Sequence, residues 1–149
     1  MFANALMSEL MAIKATLSPQ SLSAGSATTT WVPAGEVHRH LFLLQTGTLG
    51  ANATVDARVL QATDAAGTGA KVVPNKIITQ IVKASGDDKQ ALINVRPAEL
   101  DAANGFGFIA LRVTVGTAAS LVSAVHLAGA PRHTPVSAIQ QAAVVETIA

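Results

Sequence analysis

His38 and His40 stand two apart in the run Val37 to Gln45. A strand returns to the same face every second residue, so the two imidazoles could share a face as a metal pair. A metal site needs three or four converging ligands. The acidic partner that would complete such a pair should follow about four to five residues on, and Leu44 and Gln45 stand there instead. A third imidazole would have to come from His126 or His133. The residues therefore read as a solvated or interface face of a strand. Gly67-Thr68-Gly69-Ala70-Lys71 is glycine-rich and ends in a lysine, as phosphate loops do, but Val72, Val73 and Pro74 follow where a helix should begin. It reads as a hairpin loop. Asp87-Asp88 and Asp101 with Asn104 are too few oxygens for a calcium site and read as turn and cap chemistry. Glu99 and Asp101 are not set in any recognisable cleft, and Gly-x-Ser-x-Gly is absent. The expectation is no catalytic residue, no metal and no cofactor.

Two further features concern contact rather than chemistry. Trp31 is the single tryptophan and is expected in the core, with a platform for a sugar ring or a neighbouring subunit as the alternative. Arg132 and His133 lie between Pro131 and Pro135. Prolines lower the entropy lost when such a segment docks, and arginine is enriched at interfaces, so this stretch reads as a contact arm.

The elements that must position these residues are strands. Val55, Ala57 and Val59 alternate with Asp56 and Arg58, which is the pattern of a half-buried strand. Asp64 to Gly69 then supplies turn residues. Similar phrases recur, and strands are expected at 11–17, 28–32, 37–45, 53–62, 76–83, 90–96, 106–115 and 120–128. In the third of these, Val37, Leu41 and Leu43 share one face and His38, His40, Phe42 and Leu44 the other. The apolar run Leu41 to Leu44 marks that strand as central. About eight antiparallel strands with turns between them suit an all-β sandwich of the jelly-roll kind. One domain is expected over 1–149, with extended arms at about 1–10 and 131–149. Phe2, Leu6, Leu10 and Ile13 fall near helical spacing, which leaves helix and extended arm both open for the N-terminal segment.

Composition narrows the partners. Only 13% of the residues are charged and 3% aromatic, there is no cysteine, and the net charge is +1. No basic stripe or stacking surface suggests nucleic acid. No run is apolar enough for a membrane helix, and Met1 to Leu10 lacks a basic signal-peptide region. Average domains carry about 25% charged residues, so an exterior this sparsely charged is expected to be covered in part by other subunits.

The phrases Ala53 to Asp64, Gly67 to Lys71, Asp87 to Val95 and Ala130-Pro131-Arg132 resemble a family of small proteins encoded beside the major capsid gene of tailed bacteriophages. The resemblance runs from about Trp31 to Pro135 and rests on strand and loop phrases, with no catalytic signature. It implies a jelly-roll capsid cement (decoration) protein on the outside of the head, tying neighbouring major capsid subunits together. It also implies self-association, as dimers on symmetry axes, with trimers in other decoration families. The N-terminal arm departs most from the family's phrases. The expected contact residues are Phe2, Leu6, Arg132, His133, Pro135 and Val144. Deleting Pro135 to Ala149 is then expected to weaken attachment without unfolding the domain. A carbohydrate-binding jelly roll of a phage tail or adhesion protein is the alternative, disfavoured by the lack of tyrosine. A cupin-like metal enzyme, whose family uses a His-x-His strand, is disfavoured by the missing acidic ligand.

Overall fold

The computed structural model describes residues 4–133 and 136–148. A single helical turn, α1 (Met7–Leu10), leads into β1 (Met11–Leu22), β2 (Gly25–Thr28), β3 (Val32–Pro33) and β4 (Val37–Thr46). β5 (Thr54–Ala62), β6 (Lys71–Ile77) and β7 (Ile81–Val82) follow, then a helical turn α2 (Lys83–Gly86). β8 (Gln90–Val95), β9 (Phe108–Gly116) and β10 (Ser120–Pro131) complete the strands. Short 3-10 turns occupy Ala34–Glu36, Pro97–Glu99, Ala102–Asn104 and Val136–Ile139.

The first sheet has the order β1-β10-β4-β8, and the second β2-β9-β5-β6, with β3 beside β9 and β7 beside β5. Every ladder is antiparallel. If β2 with β3 and β6 with β7 are counted as two interrupted strands, the described residues form eight, and their order in the two sheets is that of a jelly roll. The all-β antiparallel sandwich expected from the sequence is the fold.

The inner faces are built by strict alternation. Val55, Ala57 and Val59 on β5 meet Ile109, Leu111, Val113 and Val115 on β9, all buried. These side chains are mostly β-branched, which suits a pleated surface. The first sheet contributes Ala15, Leu17, Phe42, Leu44, Ile93, Val95, Val122 and Ala124 to the same core.

Three boundaries differ from expectation. The strand expected at 28–32 is broken, because the Thr29 hydroxyl accepts the Leu111 N–H at 3.0 Å where a strand would offer a carbonyl. The strand expected at 76–83 starts instead at Lys71 and stops at Ile77. Pro74 has no N–H to give a ladder, and Asn75 sits in the left-handed region at φ 61°, so the chain kinks out of register there. β1 runs on through Ser18 to Ser21, which the composition marks as loop. It does so by slipping register between Ile13 and Ala15 and again between Leu17 and Gln20.

Candidate functional site

β4 and β10 are neighbours in the first sheet and place His40 opposite Ala128, diagonal to His126. His38 is exposed, while His40 and His126 are 2% and 0% exposed. The His38–His40 metal pair weighed from spacing is therefore split by burial. His40 instead meets His126, with Nδ1 of the first 2.9 Å from Nε2 of the second. His40 Nε2 lies 3.0 Å from the Ala34 carbonyl oxygen. A carbonyl only accepts, so His40 Nε2 carries the proton and its neutral Nδ1 accepts from His126 Nε2–H. His126 Nδ1 is left without a hydrogen-bond partner among the described groups. The His126 ring stacks on Phe42 at 4.1 Å between centroids. Burial lowers both pKa values, that of His126 to about 3, with Lys14 adding a smaller push in the same direction. Two neutral rings in a chain of donors ending on a backbone carbonyl make a structural clasp between β10, β4 and the turn at Ala34.

The other polar candidates are likewise absorbed locally. Gly67 and Gly69 both have positive φ and shape the hairpin between β5 and β6. Lys71 is bonded to Asp101 Oδ2 at 2.5 Å and lies 4.0 Å over the Phe106 ring. Asp87 accepts the Leu49 N–H at 2.8 Å and Lys83 Nζ at 2.6 Å. Asp101 also accepts from Asn104, and Glu99 pairs with Lys76 at 2.9 Å. These bonds hold the Asp87, Glu99 and Asp101 carboxyls below their ordinary pKa values. Among the described residues no cluster of three or more His, Asp or Glu side chains could hold a metal ion. Trp31 is half-buried and lies against the backbone of Gly67 rather than in the core expected for it.

The expected contact residues fall at two places. Arg132 donates through its N–H to the Glu36 carbonyl and through Nε to that of Gly35, so the start of the segment expected to be a contact arm is tied to the turn before β4. His133 lines a shallow cavity of about 360 Å³ beside it, with Glu36 and Ile139. Leu6 and Val144 line one groove of about 530 Å³, where the N-terminal and C-terminal segments meet. Gln140 and Gln141 carry the C-terminal segment along the free edge of β1, bonding the N–H and carbonyl of Ile13 at 2.7 and 2.9 Å. Phe2 and Pro135 lie outside the described residues.

The outer faces of the two sheets differ in kind. On the second sheet, Ser26 bonds Thr114 at 2.7 Å, and Asp56, Arg58 and Arg112 stand nearby. On the first sheet, one cross-strand row reads Ile13, Leu127 and Leu41, and the next reads Thr16, Val125, Leu43 and Leu92. β10 turns Ser120, Val122, Ala124, His126 and Ala128 inward and Leu121, Ser123, Val125 and Leu127 outward. Leu92 and Leu121 remain 60% and 48% exposed. At one end of this face a groove of about 610 Å³ is lined by Gln20, Gln45, Gln90 and Ser123 together with Leu121 and Asp88. The signal for this face was present in the sequence as Leu121, Val125 and Leu127 at even spacing, but periodicity names a face without saying which side is core.

No family model matches the sequence, and no curated protein matches it. Among solved structures, the chain is similar to one in the cryo-EM atomic structure of Broad Bean Stain Virus, at 11% identity and a TM-score of 0.41. That match covers 78% of this chain and 60% of the other. It is also similar to a chain in the structure of infectious bursal disease virus, Gx strain, at 10% identity and a TM-score of 0.34, covering 84% of this chain and 32% of that one. The chain thus spans less than two thirds of either.

Proposed function

We propose that the protein is a structural component of a virion, a capsid cement protein that binds the outside of a bacteriophage head and stabilises contacts between major capsid subunits. The observation that carries this reading is where the family-like phrases fall. Ala53 to Asp64 is β5 and its turn, Gly67 to Lys71 the following loop, Asp87 to Val95 is β8 with its lead-in, and Ala130 to Arg132 the end of β10. The resemblance therefore involves both sheets and the hairpin between β5 and β6, not one local motif. The low charge of the chain and the aliphatic face of the first sheet suit a protein that works while covered. The groove where Leu6, Val144 and Val145 meet polar side chains of both terminal segments is a second surface suited to a capsid joint.

The mechanism is additive burial. Each copy bridges a joint with modest affinity, and repetition over a shell turns many weak contacts into resistance to internal pressure. The test is co-sedimentation of purified protein with undecorated phage heads. Binding in a fixed ratio per capsid subunit, with a raised temperature of head disruption, is the expected outcome. Sedimentation of the heads alone, at saturating protein, would remove the reading.

A further inference from the structure

We infer that Arg58 and Arg112, on the outer face of the second sheet, form a binding site for a phosphoryl group, taken as free phosphate or as the end of a phosphomonoester. The inference rests on that face alone and is independent of the role proposed above.

The first observation is register. β5 and β9 are the two central strands of the second sheet, and their ladder sets Arg58 directly opposite Arg112. Side chains so placed have Cβ atoms about 4.5–5.5 Å apart, and like charges at that distance repel. Among the described residues neither guanidinium is in an ion pair; the four ion pairs all use lysine. Asp56 stands in the next row of the same face, and its Oδ2 accepts the Gln80 amide at 2.9 Å.

The second observation is an orphaned donor. Arg58 Nε is buried and has no hydrogen-bond partner among the described groups. An unpaired buried donor on a charged group is costly, and such an atom in a folded protein calls for a partner. Arg112 is exposed, and its Nε donates to the Thr28 hydroxyl at 3.3 Å, which steadies the side chain and leaves its terminal amino groups facing outward to a ligand.

The third is the chemistry of the surround. Two arginine forks carry two charges and several parallel N–H donors, which match a doubly charged tetrahedral oxyanion. A carboxylate has one charge and one edge, enough for a single fork. An anion seated between the forks replaces their repulsion with two attractions and draws the Arg58 Nε–H toward it. On one side the flanking pair Leu60 and Ala110 is 3% and 0% exposed, which lowers the local dielectric and strengthens the charge contact. The row ends in Thr28 beyond Arg112 and Ile77 beyond Arg58, so the positive charge is a spot and not a track for a polyanion.

Nitrogen–proton correlation spectra of the full chain, titrated with sodium phosphate at an ionic strength held constant with sodium chloride, test this. Saturable shifts are expected at the Arg58 Nε–H and at the backbone amides of Arg58 and Arg112, with half-saturation in the millimolar range or tighter. O-phosphoserine in a parallel titration separates the sources. Binding of both identifies the end of a monoester as a ligand, and binding of phosphate alone restricts the site to the free anion. Acetate is expected to bind at least tenfold more weakly, and equal affinity for acetate overturns the assignment. Arg112→Gln is expected to weaken phosphate binding at least tenfold. Arg112→Lys keeps the charge, removes the fork and is expected to lose most of the affinity as well. Phosphate should also raise the urea midpoint of the wild type and leave that of Arg112→Gln unchanged. Shifts that grow linearly without saturating, or phosphate binding that survives both substitutions, overturn the inference.

Discussion

His40 Nδ1 accepts the Nε2 proton of His126 at 2.9 Å, and the direction of that bond is fixed by a third group, the Ala34 carbonyl, which takes the other His40 proton. Both rings are therefore neutral and protonated at Nε2. Two-dimensional nitrogen–proton correlation of the imidazoles should show the Nε2–H tautomer for both at neutral pH. An Nδ1–H pattern for either ring would contradict the geometry.

The same pair makes stability depend on pH. Burial holds both folded pKa values below the ordinary 6.5, that of His126 at about 3, with Lys14 opposing protonation of both and Glu36 favouring it at His40. The unfolded chain takes up these protons as the pH falls through 6.5, while the folded chain does not. Stability is then complete above 6.5 and declines toward 3, by up to about 1.4 kcal/mol per pH unit for each ring that stays neutral. The carboxyls of Asp64, Asp87, Glu99 and Asp101, held low by their hydrogen bonds, add their loss only at lower pH, below their ordinary values. Urea denaturation across pH should show this decline in the wild type. The double variant His40→Leu, His126→Leu should be flat from about pH 4.5 to 6.5.

Gly67 is the point where the β5–β6 hairpin closes on Trp31. Its φ is +83°, and an added Cβ would lie 2.5 Å from the indole Nε1. Gly67→Ala meets both a left-handed backbone penalty of about 1–2 kcal/mol and a clash that only movement of the indole relieves. The expected result is a destabilisation of at least that size in urea, with a red-shifted tryptophan emission as Trp31 is displaced. Gly105, also at positive φ but with open space around its Cβ direction, should lose only the backbone part when changed to Ala.

The core was legible because β5 and β9 obey a period of two between Val55 and Val59 and between Leu111 and Val115. The sides of the first sheet were not. On β10, Leu121, Val125 and Leu127 carry larger apolar volumes than Ser120, Ala124 and Ala128, and hydropathy alone would bury them; the structure buries the small residues with Val122 and His126 instead, and on β4 it buries His40 beside Phe42 and Leu44. Three of the four ring nitrogens of this buried pair are bonded, and those bonds join residues 34, 40 and 126, which no local pattern connects. The break at Thr29 was hidden for the same reason: a threonine hydroxyl took over a bond that propensity assigns to backbone.

Thr117, in the tight connection between β9 and β10, adopts φ +71°. A β-branched side chain is crowded in that region, whereas asparagine tolerates it. Thr117→Asn should raise stability by about 0.5–1 kcal/mol, relieving part of the left-handed penalty. An increased urea midpoint with an unchanged slope would show it; a decrease would mean that the threonine is held there by favourable contacts.

Gln140 shields the edge of β1. Its side-chain oxygen accepts the Ile13 N–H at 2.7 Å, Gln141 donates to the Ile13 carbonyl at 2.9 Å, and Val136 anchors the segment with no exposed surface. Removing residues 136–149 would expose that edge and uncover what Val136 packs against, so such a truncation would confound attachment with stability and aggregation. Gln140→Ala separates them. It withdraws one acceptor, at a cost of about 0.5–1.5 kcal/mol, and leaves Val136 and the backbone bond from Gln141 in place. Amide hydrogen exchange at Ile13 should quicken by about tenfold in this variant, given 1.4 kcal/mol per decade, while the amides of β9 keep their protection. Equal acceleration at β9 would show that the C-terminal segment supports the whole sandwich rather than one edge.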